Sequence, residues 1–330
     1  MSRRGWILFA AMSVIWGVPY LLIKVAVGGV PVPVLVLARV AIGAAVLLPV
    51  ALRRGQFAAL RPVWPWLALF ALVEIILPWL SLGEAERGIS SSLTGLLIAS
   101  TPIIVAVFSL FLRGGDRLSW LRWAGLLIGL AGVALLAGPD LIGPNATAGH
   151  MRSVAEVLFV AVCYATGPLI ANRKLNDVPP VPMTAASLAL AAVVYSPIAA
   201  LNWPSKLPSA AVLASIAALA LICTAAAFLI FFRLIAETGP ARASVITYVN
   251  PAVAVTLGVL VLGEQVTPLM LGAFATILIG SVLATKTGRR NAEEPAVAAG
   301  AEARAEPAVL ARGDDPPEPR ARVAVEAEKR

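Results

Sequence analysis

The sequence has few charged residues, one histidine and two cysteines, and each shortage argues against a class of protein. Charged side chains make up 13% of its 330 residues, about half the share in a soluble domain, which argues against a water-soluble fold. His150 stands alone, without a cluster of acidic residues, so neither an enzyme nor a metal or cofactor site is predicted. No nucleotide-binding loop is present, which excludes a self-contained ATP-driven pump. Cys163 and Cys223 lie in apolar runs and are interpreted as small buried hydrophobes rather than a disulfide pair.

Long apolar runs dominate the chain instead. Hydrophobic residues are 59% of the total, and the mean hydropathy is +0.88. Because a backbone that crosses lipid must satisfy its own hydrogen bonds, runs of about 20 apolar residues are predicted to be membrane-spanning helices. The first run continues to Val27, past any plausible signal-peptide cleavage site, so it is counted as a span. Ten spans are predicted, at residues 6–27, 33–52, 64–82, 91–112, 118–137, 153–172, 182–201, 209–233, 241–262 and 267–285.

The basic residues between these spans predict how the chain is oriented. With the N-terminus in the cytoplasm, only Arg87, Arg152 and Lys206 lie in outer loops, whereas fifteen Lys and Arg residues lie in inner segments. One missed span would destroy this positive-inside bias, since every later loop would change sides. Both termini are therefore predicted to be cytoplasmic, and the abundance of Arg and Ala points to a bacterial plasma (inner) membrane. The inner basic residues are Arg3, Arg4, Arg53, Arg54, Arg61, Arg113, Arg117, Arg122, Arg173, Lys174, Arg233, Arg242, Lys286, Arg289 and Arg290.

The C-terminal segment, residues 286–330, is rich in Ala, Pro, Glu and Arg. Such a composition cannot bury a core, so the segment is predicted to be a disordered cytoplasmic tail. It holds nine basic and nine acidic residues and is therefore neutral. The net charge of +8 belongs to the membrane portion, where it reports orientation and gives no reason to expect a nucleic-acid partner.

The first half of the membrane portion matches the second half when the chain is shifted by 149 residues. Thr-Pro-Ile-Ile-Val-Ala-Val at 101–107 matches Asn-Pro-Ala-Val-Ala-Val at 250–255. Each half holds five predicted spans, an odd number, so the second half must cross the membrane with opposite polarity. The predicted fold is all-α, a polytopic membrane protein of ten transmembrane helices built as two inverted five-helix repeats. Single-residue matches are Pro19 with Pro168, Pro33 with Pro182, Pro102 with Pro251, and Lys24 with Arg173.

Two motifs carry a resemblance to a known family. WGVPYLLIK at 16–24 and NPAVAVTLGVLVLGEQVT at 250–267, set in two copies of a five-helix unit, resemble the EamA-type members of the drug/metabolite transporter (DMT) superfamily. The resemblance covers about residues 6–285 and implies a first repeat at 1–138, an outer loop at 139–152 and a second repeat at 153–285. It implies an exporter or exchanger of amino acids, metabolites or drugs, with helices 1, 3, 4, 6, 8 and 9 around the central path. Asp116, where the family usually has Glu, and Tyr164-Ala165 in place of Trp16-Gly17 depart from the family pattern.

Four repeat-related prolines are candidate helix bends. A proline inside a helix leaves a carbonyl without its N–H partner, and interrupted helices at matching positions of two repeats point to a transporter's central site. The alternative is that these prolines only set the angle at which each helix starts. The candidates are Pro19, Pro102, Pro168 and Pro251.

Glu74 is the only acidic residue in the middle of a predicted span. One central carboxylate costs about 2.5 to 3.5 kcal/mol on the insertion scale, less than the gain of about 4 kcal/mol from nine apolar neighbours, so the helix still inserts. The carboxylate must then face protein or water, and Lys24 and Arg39 are candidate charge partners. Two interpretations stay open: a substrate or proton site on the pathway, and a purely structural ion pair.

Other polar and aromatic side chains lie too deep for the membrane interface. Trp16, its counterpart Tyr164, and Tyr248 and Asn250 before the proline of span 9 are predicted to line the pathway, with helix packing as the alternative. Asp116 and Glu264 are expected to cap the starts of spans 5 and 10, with gating as the alternative. The glycines of span 5 are attributed to close helix packing: Gly125, Gly129 and Gly132.

These features favour a secondary transporter that exports a small organic metabolite, amino acid or drug by alternating access. Its partners are the solute, the lipid bilayer and, if Glu74 carries a proton, protons as coupling ion. Ten helices suffice for one complete path, so the protein is predicted to be a monomer or a homodimer. A passive channel or a membrane receptor for a small solute remains the alternative function.

Overall fold

The computed structural model describes residues 1–53, 55–112, 119–142 and 147–285, and these contain helices without any strand. Several spans consist of more than one helix. Span 1 is Arg3–Ile15 and Pro19–Val27; span 2, Val32–Arg53; span 3, Trp64–Ala71, a π-helical turn Leu72–Ile76 and Leu77–Gly88, after a 3-10 helix Gln56–Val63. Span 4 is Ser91–Ile98 and Thr101–Leu112; span 5, Trp120–Ile142; span 6, Ala148–Lys174; span 7, Pro180–Leu201. Span 8 is Ala210–Ala220, a π-helical turn Leu221–Ala226 and Ala227–Thr238; span 9, the short helix Pro240–Ala243 and Ile246–Leu262; span 10, Pro268–Thr285.

The described residues confirm a multi-pass membrane protein. Nine of their helical segments are long and apolar enough to cross a bilayer, and Ile246–Leu262 supplies a shorter apolar helix at the predicted ninth span. Four predicted boundaries were wrong by five residues or more. Span 3 ends at Gly88 rather than residue 82, span 5 at Ile142 rather than 137 and span 8 at Thr238 rather than 233, and span 6 begins at Ala148 rather than 153. Hydropathy falls at the acidic and basic residues near the ends of spans 3 and 8, but the backbone stays helical there, where span 3 packs on span 6 and span 8 packs on span 1. Asp116 and the predicted tail 286–330 lie outside the described residues.

The packing of spans has the pattern that a two-fold relation between two copies requires. Spans 2 and 7, 4 and 9, and 5 and 10 pack against each other, and each pair joins equivalent helices of the two copies. Span 1 packs on span 8, and span 3 packs on span 6. A two-fold axis exchanges these last two pairs, since it carries span 1 to span 6 and span 8 to span 3. The core therefore lies between the halves rather than within either one.

Spans 5 and 10 pack backbone against backbone, as their glycines predicted. A Cβ on Gly132 would lie 2.8 Å from the amide nitrogen of Ile277, and one on Gly280 would lie 2.7 Å from the carbonyl oxygen of Gly125. Lipid offers no hydrophobic force to join helices, so close van der Waals contact between small residues must do so. The attribution of Gly125, Gly129 and Gly132 to helix packing is confirmed.

Both halves carry a π-helical turn at the same repeat position. Leu72–Ile76 in span 3 and Leu221–Ala226 in span 8 begin 149 residues apart, the shift that aligns the two copies in sequence. A π turn adds one residue to a helical turn and is frequently found at functional sites. Each of the two turns contributes a side chain to the site described next.

Candidate functional site

Arg39 of span 2 is held between the two halves of the protein. Its Nε–H donates to Oγ1 of Thr224 at 2.9 Å, and its guanidinium lies 3.6 Å from the ring centroid of Trp79. Thr224 belongs to the π turn of span 8 and donates its own hydroxyl to the carbonyl oxygen of Leu219 at 2.8 Å. The threonine oxygen is thereby oriented to accept from the arginine. Arg39 is thus fixed by a cation–π contact from its own half and a hydrogen bond from the other.

The rest of the Arg39 guanidinium is free to bind another group. Among the described residues, neither of its Nη groups has a hydrogen-bond partner, and the residue keeps 8% of its surface accessible. Tyr20, Tyr164 and Cys223 lie within electrostatic range of it. We refer to Tyr20, Arg39, Trp79, Tyr164 and Thr224 as the Arg39 cluster. Spans 1, 2, 3, 6 and 8 each contribute one of its members.

Glu74 lies in the π turn of span 3 and points at span 6. Its Oε2 is buried without a hydrogen-bond partner among the described residues. Space for the carboxylate exists because residue 167 is a glycine: a Cβ there would overlap Oε2 and lie 2.9 Å from Cδ of Glu74. Tyr164, one turn earlier in span 6, lies within electrostatic range of both Glu74 and Arg39. Tyr164 therefore connects the acid to the Arg39 cluster.

The predicted charge partners of Glu74 bind elsewhere. Lys24 donates from Nζ to the carbonyl oxygens of Glu86 and Ile89, the latter at 2.8 Å. These carbonyls end the helix Leu77–Gly88, where the backbone lacks its own donors and a cation is favourable. Glu74 lies twelve residues before Glu86, about 18 Å along a helix, so one lysine cannot serve both places. Arg39, as described above, is engaged by Trp79 and Thr224.

Glu86 is the largest omission of the sequence reasoning. The predicted span 3 stopped at residue 82, which put Glu86 in an outer loop, but the structure buries this side chain with 0% exposure. Both carboxylate oxygens lack a hydrogen-bond partner among the described residues. Trp79, Tyr20 and Thr224 were also missed, because an aromatic or hydroxyl residue inside an apolar run gives no signal that separates a site from helix packing.

The other predicted pathway residues contact spans 1, 8 and 9. Trp16 lies 4.5 Å from Phe231 and 6.1 Å from Phe228, measured between ring centroids. The side-chain amide of Asn250, oriented to satisfy its neighbours, donates to the carbonyl oxygens of Ser13 at 3.1 Å and of Ile246. Tyr248 lies half-buried near the start of the same helix. No described contact of Trp16, Tyr248 or Asn250 reaches Arg39.

The four prolines occupy two kinds of position. In the first half the helix is interrupted before the proline, at residues 16–18 ahead of Pro19 and at 99–100 ahead of Pro102. In the second half Pro168 and Pro251 lie inside uninterrupted helices. Proline lacks the N–H that would bond the preceding turn, so a helix can restart there without losing a donor. Interruption directly before the repeat-related proline is thus confined to the first copy.

Glu264 caps a helix, but not the helix that was predicted. Its carboxylate accepts hydrogen bonds from the backbone N–H and the hydroxyl of both Ser91 and Ser92, with N–H distances of 2.8 and 2.9 Å, at the start of span 4. Thr267, rather than Glu264, caps span 10 by accepting from the N–H of Met270. Partial burial acts to raise the pKa of Glu264, but the hydrogen bonds from the serines outweigh it and hold the pKa below its usual value. The contact joins the loop at 263–267 of the second half to span 4 of the first.

A cavity of about 390 Å³ lies between spans 3, 4 and 6. Its walls are mostly apolar, with Trp66, Phe108 and Ile170 among them, and Arg173 and Lys174 also line it. Nζ of Lys174 lies 4.8 Å from the ring centroid of Trp66. This cavity and Glu86 lie at opposite ends of span 3, since Trp66 begins that span and Glu86 ends it.

Comparison with known proteins identifies the family. The sequence model of the EamA-like transporter family matches the chain twice, at residues 3–138 and 152–286. The chain is 29% identical over 286 residues to "Uncharacterized inner membrane transporter YedA" of Escherichia coli (strain K12), covering 83% of this chain and 88% of that protein. It is 26% identical over 302 residues to "Probable terminal-alkyne amino-acid exporter" of Streptantibioticus cattleyicolor, covering 88% of this chain and 97% of that protein.

A solved crystal structure has the same fold, with a TM-score of 0.61 and 24% identity over 86% of this chain and 97% of that one. The two family matches correspond to the two halves that pack around Arg39. The chain belongs to the EamA-like transporter family.

Proposed function

We propose that the protein is a secondary transporter that exports a small carboxylate-bearing metabolite of the amino-acid type by alternating access. The observation that carries this proposal is Arg39, a buried cation between the halves whose Nη groups have no partner among the described residues. A guanidinium presents paired N–H donors that match the two oxygens of a carboxylate. Trp79 and Thr224 fix its orientation, so little entropy is lost when a solute binds.

The surroundings of Arg39 support a solute with more than a carboxylate. Tyr20 and Tyr164 offer hydroxyl groups within electrostatic range, and Glu74 beyond Tyr164 offers an unpaired carboxylate for an ammonium group or a proton. A relative is named as an exporter of terminal-alkyne amino acids, which favours the amino-acid class. Trp16, Tyr248 and Asn250 belong to the proposed pathway through their position at spans 1 and 9.

Two inverted copies that share an interface support alternating access, because such copies rock against one another around a fixed site. At the end of span 3 near Glu86, contacts of Glu264 with Ser91 and Ser92 join the halves. We refer to this end as the Glu264 face, and it is closed by those contacts in the present structure. A proton on Glu74 would lower the cost of the empty carrier's return, as expected for antiport.

Counterflow tests the transport proposal directly. Purified protein in liposomes preloaded with unlabelled propargylglycine, a terminal-alkyne amino acid, should take up labelled propargylglycine saturably and faster than empty liposomes do. Planar bilayers should show no unitary conductance. Conductance without counterflow would support the channel alternative, and neither activity across a panel of small amino and organic acids would contradict the proposal.

Glu74→Gln tests the role of the pathway carboxylate. The variant should fold, exchange solute more slowly and lose transport driven by a pH gradient, because the acid is replaced by a neutral amide of the same size. Glu84→Gln, an acid of the same span, serves as the matched control. Unchanged transport in Glu74→Gln would remove this residue from the mechanism.

The orientation and segment limits are also part of this proposal. We place both termini on the cytoplasmic side of a bacterial inner membrane, with repeats at 1–138 and 153–285, an outer loop at 139–152 and a disordered tail at 286–330. Reporter fusions at residues 115 and 264 should report opposite sides of the membrane. Fusions that report the same side would contradict the inverted arrangement.

A further inference from the structure

Glu86 is an acid whose carboxylate has no hydrogen-bond partner among the described residues. It is fully buried, and neither carboxylate oxygen accepts a hydrogen bond within the described residues. An ionised carboxylate in such a place would lose its hydration and gain no donor in exchange, at a cost of several kcal/mol. A carboxyl that carries its proton avoids most of that cost. The geometry around Glu86 therefore suits the neutral acid.

The cations near Glu86 donate hydrogen bonds to other groups and not to its carboxylate. On span 1, the ammonium of Lys24 donates to the carbonyl oxygens of Glu86 and Ile89, and the Tyr20 hydroxyl lies within electrostatic range. On span 2, Arg39 stacks on Trp79 and donates to Thr224. Neither cation donates to the Glu86 carboxylate. The hydrogen bonds of these cations hold the backbone and the Arg39 cluster, so their charges act on Glu86 only through space.

The remaining neighbours make an ionised Glu86 less favourable still. Glu264 lies within electrostatic range and adds a like charge, and it uses the donors of Ser91 and Ser92 at the start of span 4. On span 6, Arg152 is paired with Glu156 through a 2.8 Å contact near the surface. Among the described residues, no donor on the elements that pack around Glu86 reaches its carboxylate oxygens.

The burial of Glu86 depends on contacts between the two halves. Gly88 of span 3 packs so closely on Ser153 of span 6 that a Cβ would overlap the serine hydroxyl, and Glu264 links the far half to span 4. Movement of one half against the other at the Glu264 face would separate these groups and admit water to Glu86. A hydrated glutamic acid has an ordinary pKa of about 4.3, so it would ionise at neutral pH.

We propose that Glu86 is a coupling-proton site: its carboxylate takes up one proton from water at the Glu264 face before that face closes, and releases one proton when the face reopens. The chemistry is a single protonation, carboxylate plus H⁺ to carboxyl, without any other reactant. This inference rests on the proposed transport function for its consequence, but not for the protonation itself. Glu86 then sets when the carrier can close, whereas Glu74 and Arg39 contact the pathway.

Infrared spectroscopy of the purified protein tests the protonation without any solute. At pH 7 the wild type and Glu74→Gln should both show the carbonyl stretch of a protonated carboxylic acid. The band that remains in Glu74→Gln is assigned to Glu86, and it should be missing from Glu86→Gln. Glu84→Gln, two residues away on the same helix, should leave the band unchanged. Absence of the band from Glu74→Gln overturns the proposal, and this result does not depend on whether Glu86→Gln folds.

Transport assays in liposomes test the coupling. With propargylglycine as the probe, Glu86→Gln should keep counterflow near the wild-type rate, but accumulation driven by a pH gradient should fall to the level measured without a gradient. Glu74→Gln should slow counterflow as well as lose accumulation driven by a pH gradient, since it alters the pathway, so counterflow distinguishes the two variants. Gradient-driven accumulation that persists in Glu86→Gln overturns the coupling role. If the wild type shows no counterflow with any member of the panel of small amino and organic acids, the proposed function fails, while the infrared result still decides the state of Glu86.

Discussion

The contact between Gly167 and Glu74 allows a test of the site geometry that needs no knowledge of the solute. Replacing Gly167 with Ala adds a Cβ that would overlap Oε2 of Glu74 and lie 2.9 Å from its Cδ and 3.3 Å from its Cβ. Non-bonded carbon atoms prefer separations of about 3.5 to 4.0 Å, so the acid must rotate away or span 6 must move. Either response displaces the carboxylate from its present position.

The expected energies follow from the two responses. Overpacking costs about 1 to 3 kcal/mol, or about 0.5 to 1.5 kcal/mol if rotation of the Glu74 side chain relieves it. Against this, Ala gains about 1 kcal/mol over Gly in a helix interior. Gly167→Ala should therefore range from about 0.5 kcal/mol stabilising to about 2 kcal/mol destabilising in the wild type. In a Glu74→Ala background the overlaps with Oε2 and Cδ are gone and only the 3.3 Å contact with Cβ of residue 74 stays, so the same change should stabilise by up to about 1 kcal/mol.

Reversible unfolding in mixed detergent micelles, followed by circular dichroism, measures all four proteins of this double-mutant cycle. The coupling energy should be about 0.5 to 3 kcal/mol. Gly272→Ala is the matched control, because nothing lies within 4 Å of a Cβ at that helical position and the change reports helix propensity alone. Equal effects of Gly167→Ala in both backgrounds would refute the contact between spans 3 and 6.

Three further changes test other contacts, each in purified protein. Gly280→Ala should be about 1 to 3 kcal/mol less stable than Gly272→Ala, because its Cβ meets backbone that cannot rotate away while both changes share the gain in helix propensity; equal stability of the two variants would contradict the packing of spans 5 and 10. Glu264→Gln should destabilise by about 1 to 2 kcal/mol at pH 7 through loss of a charged helix cap. Since the native pKa of Glu264 is lowered, its contribution is present above the unfolded value of about 4.3 and lost as pH falls through the native value. The two proteins should therefore converge once the pH is below the native pKa, and a difference that persists there would argue against the carboxylate as the acceptor. Arg39→Lys should lower propargylglycine counterflow roughly tenfold or more while keeping the charge, because Lys lacks both the fork and the Nε bond to Thr224; wild-type transport in this variant would argue against carboxylate binding.

Periodic and repeated features of the sequence were sufficient to predict the fold. Apolar runs fixed the number of spans, and the shift of 149 residues aligned two halves that do pack as related copies. Gly125 and Gly132 were attributed correctly, because small residues spaced along one helix face leave few explanations besides close packing. The resemblance to EamA-type transporters is confirmed by the family matches. Each of these inferences uses many residues at once, so a single exception does not overturn it.

The site depends on single residues, and there the sequence was less informative. Glu74 and Arg39 stood out because charges are rare in lipid. The spacing of residues along the sequence, however, does not predict which groups face them. The prediction missed Glu86 because hydropathy gives the same signal for two kinds of polar last turn. One kind is exposed to solvent, and the other is covered by the second half of the protein. Lys24 was named as a possible partner of Glu74, but its hydrogen bonds go to backbone carbonyls at a helix end, and the sequence does not single these out because every helix has them.

The two π turns explain how a symmetric scaffold acquires an asymmetric site. Both begin at equivalent positions, but the first supplies the carboxylate of Glu74 and the second supplies the hydroxyl of Thr224. One free carbonyl near the first turn, that of Ile76, is satisfied by the hydroxyl of Tyr195, whereas the second turn satisfies Leu219 with its own threonine. The threonine oxygen can then hold Arg39. Equivalent backbone deformations with different side chains thus place an acid and an oriented cation within electrostatic range of Tyr164, which the symmetry of the backbone alone could not do.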